Sequence, residues 1–476
     1  MNLIIRTKIV CTIGPGTESV SAIKKLFEAG MNVARINCSH GDHLQYRRFI
    51  KNIKAVSDRI GIMLDTQGPE IRTGMVKEGT VLKDGQEFTL TTEKILGDDK
   101  KVCVTHKGLP KEVKPGDMIF MDSGFLSLKV VKVHRSEIVC KVVSGGPLGN
   151  QKGVNHPAGV AAIPSITEKD REDISFGIAH GIDFIAASFI RRPQDIRTLR
   201  KIIEKHPHVK IIAKIENGLA VQNIDGIIKE ADAIMVARGD LGVELPEEEL
   251  PMIQKEIIRK CNLAGKPVIT ATQMLESMVH NPMPTRAEST DVANAILDGT
   301  DAVMLSEETA IGKYPDGAVR MMVKISQNTE KYLELHRKFK PTSSADSIAL
   351  ALNHILENSD DIDKVVVCTR SGYSARLIAK YRPHAQIIAA TNAPRVVRRV
   401  GIYWGVSPIL VDDHVKTTRD LIYNSLKEAV RQKLVSLNEK VIITAGYPYH
   451  VKGTTNIIEI HKVGELLKYG PTHMKG

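Results

Sequence analysis

The chain has 476 residues, 42% of them hydrophobic and 25% charged. That mix excludes a disordered or fibrous protein, and at roughly 150 residues per domain the length suggests about three domains. Lys plus Arg outnumber Asp plus Glu by 66 to 55, and the net charge of +11 favours anionic partners. The longest basic cluster, Arg395 to Arg399, is broken by two valines, so small phosphorylated molecules fit that charge better than nucleic acid does. Aromatics are only 4%, which argues against base stacking. Cys11, Cys38, Cys103, Cys140, Cys261 and Cys368 show no metal-ligand spacing and read as buried thiols in a reducing cytoplasm. Arg6 and Lys8 interrupt the apolar N-terminus, unlike a signal peptide, and no stretch has the length of a membrane span.

Residues 6–13 predict a strand, Gly14-Pro15-Gly16 a turn, and Thr17 the cap of a helix to about residue 28. A strand at 31–37, a helix at 44–59 and a strand at 61–66 follow. Residues 75 to about 162 then alternate with period two and carry turn signals, which predicts a small all-β insertion. Thr167 is placed to cap a helix to about residue 179. Five further strands are expected at 182–188, 209–215, 232–238, 267–272 and 300–306, separated by helical patterns. Three strands before the insertion and five after it make a TIM (β/α)8 barrel over 1–74 and 163–339, with 75–162 as a β-barrel-like all-β insertion. A polar linker at 340–346 leads to a second α/β alternation over 346–476, read as a doubly wound sheet.

Chemistry in such a barrel lies at the C-terminal ends of its strands. Those ends carry Arg35, Asn37, Ser39 and His40; Asp65 and Thr66; Lys214 and Glu216; Gly239 and Asp240; Thr272; and Ser306. Glu216 and Asp240, on adjacent strands, repel unless a cation lies between them, and hard oxygens with open positions suit Mg²⁺. Lys214 shares a strand face with Glu216 and can neutralise a transferring phosphoryl group or an enolate; a structural ion pair is the plainer alternative. Gly239 and Asp240 allow close backbone approach to a carboxylate. Arg35 and Arg72 are forked donors for phosphate, or rim salt bridges. Asn37, Ser39, Asp65 and Thr66 fit a monovalent cation or a neutral hydrogen-bond network. His40 can titrate near neutrality or simply be hydrogen-bonded. Thr272 and Ser306 can pass a proton through water or cap backbone.

In order along the chain stand KIVCTIGP (8–15), NVARINCSHG (32–41), LDTQGPEIRTG (64–74), ITEKD (166–170), ASFIR (187–191), KIENGLA (214–220), ARGDLGVE (237–244), KPVITATQMLESM (266–278), the long run 284–315 and GTTN (453–456). By these motifs the chain resembles the pyruvate kinase family over its full length. The resemblance implies a phosphotransferase that moves phosphate from phosphoenolpyruvate to ADP, giving pyruvate and ATP as the last step of glycolysis. It implies Mg²⁺ (or Mn²⁺) at Glu216 and Asp240, and K⁺ at Asn37, Ser39, Asp65 and Thr66. Lys214 would stabilise the phosphoryl group and enolate. Arg35 would contact phosphate, and Gly239, Asp240 and Thr272 the substrate carboxylate. His40, Arg72 and Lys169 would serve the nucleotide, and the proton would arrive near Thr272, Ser306 and Glu308. An all-β lid over 75–162, a C-terminal α/β regulatory domain over 346–476 and a cytoplasmic homotetramer, with neither nucleic acid nor membrane as partner, are implied as well.

Three positions depart from the family pattern. Gln67 stands where animal forms have Lys, while Glu70 keeps the carboxylate associated with K⁺ dependence. Glu307 stands where many members have Gly. The segment Thr369, Arg370, Ser371, Gly372, Tyr373, Ser374 resembles a loop that holds a phosphorylated effector, but Tyr373 replaces a basic residue, and a plain helix cap is the alternative. Among rivals, an Mg²⁺-dependent TIM-barrel lyase acting through a pyruvate enolate would share Glu216 and Asp240 but need neither Arg72 nor Lys169. A non-catalytic sensor would be expected to lack at least one of Lys214, Glu216 and Asp240, and all three are present.

Overall fold

Eight short apolar runs close into a parallel barrel: Lys8–Thr12, Val33–Asn37, Gly61–Asp65, Phe184–Ala187, Lys210–Ile215, Ala233–Ala237, Val268–Ala271 and Ala302–Leu305. Each pairs with its neighbours in sequence, and the first pairs with the last. The computed structural model describes residues 5–122, 124–156, 164–334, 339–412, 417–447 and 455–469. Alternate residues face opposite sides of the barrel wall. Val10, Met63, Phe184, Ile212, Met235, Ile269 and Met304 fill the interior, while Ile9, Cys11, Ile36 and Ile211 pack under the surrounding helices. This two-sided burial explains why the strands read as unbroken apolar runs.

The insertion leaves the barrel after its third strand. Its described strands form a six-stranded sheet and a separate two-stranded one rather than a single closed barrel. A one-turn helix, Leu109–Glu112, interrupts it. Phe88, Leu90, Ile119, Leu128, Ile138 and Val142 give it a core of its own. The C-terminal sheet runs, edge to edge, Val406–Leu410, Gln386–Thr391, Lys364–Cys368, Lys440–Ala445 and Ile457–Lys462, with only the last strand antiparallel. Helices cover both of its faces, so separate apolar clusters lie on either side.

The C-terminal sheet docks on the N-terminal ends of the barrel strands, opposite the mouth. Ile402 joins the barrel-interior cluster. Arg398 Nε donates to both oxygens of buried Asp183 at 3.0 and 2.9 Å. Lys8 Nζ, at the start of the first strand, donates to the Val406 carbonyl at 2.7 Å. Arg382 pairs with Asp301, just ahead of the last strand, at 2.9 Å.

One cap differs from the sequence expectation. The first helix is Val20–Ala29, capped by Ser19. The Thr17 hydroxyl donates instead to the Thr309 carbonyl at 2.7 Å and ties the first loop to the last barrel strand's exit. Thr167 caps as expected, in a reciprocal box with Asp170. The helix Val463–Tyr469 has no counterpart in the sequence reading. Of the sequence-based expectations, residues 157–162 of the insertion, 413–416 and 470–476 of the C-terminal unit, and Gly453 and Thr454 of GTTN lie outside the described residues.

Candidate active site

The barrel-strand ends converge on one buried ammonium group. Lys214 projects from the fifth strand, and its Nζ lies 2.7 Å from Glu216 Oε1 and 3.1 Å from Asp65 Oδ1. It also donates to Ser188 Oγ at 2.7 Å. Lys214 and Glu216 are two apart on a strand, so their side chains share a face. Burial pulls the lysine pKa down, but the carboxylates of Asp65 and Glu216 outweigh it and leave the pKa raised. The ammonium is therefore a fixed positive charge.

Asp65 is bound from two sides. Its Oδ2 accepts from Arg35 Nε at 2.6 Å, and Arg35 Nη1 reaches Thr12 Oγ1 at 2.9 Å. Burial opposes the charge on Asp65, yet Arg35 and Lys214 hold its pKa below the ordinary carboxylate range. Arg35 is thus a buried partner of Asp65 beside the mouth. Asn37 Oδ1 accepts from the Ser39 N–H at 3.1 Å, and Thr66 Oγ1 accepts from the Ser188 N–H at 3.2 Å. This oxygen-rich group shares Asp65 and Ser188 with the lysine.

Glu216 accepts the Phe189 N–H at 2.5 Å through its other oxygen. Burial pushes its pKa up, Lys214 pulls it down, and the Asp240 charge pushes it up again, with a net rise. Asp240 sits in the first turn of the helix Arg238–Glu244 beside Gly239. The Gly239 N–H donates to Thr272 Oγ1 at 2.8 Å, and that hydroxyl lies 2.6 Å from the Ala271 carbonyl. A Cβ on Gly239 would meet Thr272 first, at 3.6 Å, an ordinary van der Waals contact. Thr272, Gln273 and Phe189 hold φ values of 67°, 52° and 53°, which are uncommon for residues with side chains and cluster here at the rim.

Glu308 is buried, and its two oxygens accept the Leu275 and Ser306 N–H groups at 3.0 and 2.7 Å. Burial raises its pKa despite these donors. The neighbouring Glu307 is exposed. It therefore adds no second carboxylate to that buried pocket.

The nucleotide-side expectations separate into two places. Arg72 Nη2 binds Glu70 Oε2 at 2.8 Å and Nη1 the Gln151 carbonyl at 3.2 Å. These residues line a cavity of about 270 Å³ between insertion and barrel, together with Lys152, Asn155, Asp240 and Glu244. Lys169 is not part of that lining. Its Nζ binds the Cys38 carbonyl at 2.6 Å and Asp173 at 2.7 Å, on the His40 side of the mouth. His40 is exposed, and its carbonyl accepts the Tyr46 hydroxyl. Lys152, 2.8 Å from Asp122, was not singled out in the sequence because it lies on no barrel strand. Ser188, Phe189 and Glu244 were quoted within motifs but given no role, because what marks them is a contact across the fold.

At Thr369–Ser374 the Gly372 N–H donates to Thr369 Oγ1 at 3.0 Å and the Tyr373 N–H to Ser371 Oγ at 3.4 Å. Ser374 Oγ lies 2.6 Å from Thr455 Oγ1. A phosphate bound here would displace these internal partners.

Family models for the pyruvate kinase barrel domain and the pyruvate kinase alpha/beta domain match residues 4–319 and 346–461. The chain belongs to the pyruvate kinase family. It is 50% identical to a pyruvate kinase of Geobacillus stearothermophilus and 46% identical to one of Staphylococcus saprophyticus, covering 98% of this chain in each case and 81% and 82% of theirs. The crystal structure of a pyruvate kinase from Cryptosporidium parvum superposes with a TM-score of 0.91 at 39% identity, over 96% of each chain.

Among the described residues, Ser188 is the one neutral partner of the ammonium. Ser188→Ala removes that acceptor and the hydroxyl's own bond to the Thr66 carbonyl. The expected result is a kcat about tenfold lower with a folded protein, the scale of one hydrogen bond to a charged group. Steady-state kinetics beside a thermal melt would show it, and an unchanged kcat would contradict the arrangement.

Proposed function

We propose that the barrel mouth transfers the phosphoryl group of phosphoenolpyruvate to ADP, releasing pyruvate and ATP. The observation that carries this reading is the buried, permanently charged Lys214, held between Asp65, Glu216 and Ser188 at the open end of the barrel. Phosphoryl transfer demands positioning and neutralisation of charge more than covalent chemistry. Lys214 faces the transferring group and the enolate left behind, and Arg35 adds a second cation beside it. The Gly239 backbone and Thr272 orient the substrate carboxylate. Arg72 and Lys152 offer cations to the nucleotide phosphates from the insertion side, and Lys169 and His40 do so from the barrel side. Closure of the insertion over the mouth would keep water from the donor. The proton that completes pyruvate passes through water near Thr272, Ser306 and Glu308.

Glu216 and Asp240 suit a divalent cation. Both are hard oxygen donors, and among the described residues no group of three or more His, Cys, Asp or Glu side chains could hold a metal unaided. Mg²⁺ characteristically completes such a set with substrate oxygens and water. When bound, Mg²⁺ (or Mn²⁺) would supply charge neutralisation to the phosphoryl oxygens. Asn37, Ser39, Asp65 and Thr66 form the oxygen set for K⁺, and the Glu70 carboxylate beside Arg72 goes with a requirement for that ion. A cytoplasmic homotetramer is part of the same reading. Exposed Met252, Met283 and Leu297 on the barrel's outer surface supply apolar contact area, and sedimentation would distinguish four chains from one.

The direct test is pyruvate formation from phosphoenolpyruvate and ADP with Mg²⁺, with and without K⁺. Activity that rises with K⁺ is expected, and folded protein inactive under both conditions would refute the reading. A second expectation concerns pH. The Glu216 pKa is raised, so a proton competes with the metal at pH values where an ordinary carboxylate has already lost it. The Mg²⁺ concentration for half-maximal activity should therefore rise as pH falls from 8 to 6. A half-saturation point independent of pH would show that Glu216 carries no such proton.

A further inference from the structure

The helix Glu168–Ala179 follows the insertion, and its opening turns lie across the exits of the second and third barrel strands. Asp170 Oδ1 accepts the Gly68 N–H at 3.0 Å, and Lys169 Nζ donates to the Cys38 carbonyl at 2.6 Å. Asp173, one turn on, is buried. Its Oδ1 lies 2.7 Å from His43 Nε2, and its Oδ2 accepts from Lys169 Nζ at 2.7 Å. A buried carboxylate is costly unless its oxygens are bonded, and both of these are. His43 opens a different helix, His43–Val56, and its ring stacks on Phe176 with centroids 4.4 Å apart and planes 14° from parallel. The stack fixes the ring, and the ring holds the carboxylate from outside its own helix.

Local preference does not explain where Lys169 sits. It lies in the first turn of its helix, where a cation opposes the helix dipole. A Lys four residues before an acidic partner is also the weaker order for such a pair. The tertiary contacts decide its place instead. Asp173 and the Cys38 carbonyl take two of the three N–H donors of the ammonium. The third is left for a ligand oxygen, and the Lys169 side chain is 45% exposed where that of Asp173 is 4%. Cys38 stands between Asn37 and Ser39 at the second strand's exit, so the ammonium is fixed at the rim of the mouth.

We propose that Asp173, clamped by His43, is a positioning residue for phosphoryl transfer: it holds the Lys169 ammonium at the Cys38 carbonyl, where the remaining N–H meets a phosphate oxygen of the nucleoside diphosphate. This rests on the phosphotransfer reading above. Gly239, Thr272 and Lys214, on the phosphoenolpyruvate side, have partners of their own. Breaking the Asp173–Lys169 contact should therefore weaken one substrate and spare the other.

The test uses the full chain with Asp173→Ala, Asp173→Asn, Lys169→Met and the double variant of Asp173→Ala with Lys169→Met. Asp173→Ala and Lys169→Met should each raise the KM for ADP about tenfold, the scale of one hydrogen bond to a charged group, and leave the KM for phosphoenolpyruvate within about twofold. The double variant should be no worse than the poorer single one, because Asp173 acts through Lys169. Asp173→Asn keeps the shape, an oxygen for Lys169 and an amide that can pair with the His43 ring, and loses the charge, so it should fold and raise the KM for ADP about threefold. Acylation of Lys169 by an amine-directed reagent, read by mass spectrometry, should speed up in both Asp173 variants, because the bond that holds the amine is lost or weakened. An unchanged KM for ADP in both Asp173 variants, equal rises in both KM values, multiplying effects in the double variant, or unchanged acylation would each overturn the proposal. If the unaltered chain forms no pyruvate, the phosphotransfer reading fails on its own, and the acylation rate still decides whether Asp173 holds Lys169.

Discussion

The structure of the mouth depends on one buried positive charge. Removing an ammonium from water costs several kcal/mol, and that cost must be met by oxygens already in place. Asp65, Glu216 and Ser188 meet it for Lys214. Asp65 is held in turn by Arg35, and Glu216 by the Phe189 N–H. Asp240 then adds another carboxylate beside Glu216. Two cations, Lys214 and Arg35, thus face three carboxylates. The excess of negative charge is what a divalent cation would neutralise; the Glu216 pKa is raised first by burial, and the Asp240 charge adds to that. A site of this kind stays charged, dry and rigid where a phosphoryl group needs it to be.

The two ends of the barrel divide the work. The base is closed by Ile402 and clamped by the Arg398–Asp183, Lys8–Val406 and Arg382–Asp301 contacts. At the mouth, Phe189, Thr272 and Gln273 hold unfavourable backbone angles. Such conformations persist only where surrounding packing over-determines them. A rigid base and a wall of buried apolar strands provide that packing, and two of the three, Phe189 and Thr272, bond Glu216 and Gly239 directly.

Much of this was legible in the sequence because it is local. A strand buried on both faces reads as an unbroken apolar run, so all eight barrel strands could be placed to within about two residues at each end. Strand ends point to the mouth by topology, so Lys214, Glu216, Asp240 and Thr272 could be picked by position. What was not legible depends on pairings across long sequence separations. Thr17 has the chemistry of a helix cap, but Thr309 takes its hydroxyl and Ser19 does the capping. Arg35 read as a phosphate donor or a rim salt bridge, and only the fold names Asp65 as the partner of its guanidinium. Lys152 acquires meaning from the cavity between insertion and barrel that it lines, which leaves no periodic signal in its segment.

The account is tested most directly by replacing the central charge. Lys214→Met keeps the length and apolar stem of the side chain and removes only the ammonium. With Mg²⁺ and K⁺ saturating, we expect kcat for pyruvate formation to fall about a thousandfold, the upper range for losing one preorganised electrostatic contact, with little change in either KM. A variant that folds and keeps kcat within about tenfold would contradict the claim that this buried ammonium drives the transfer.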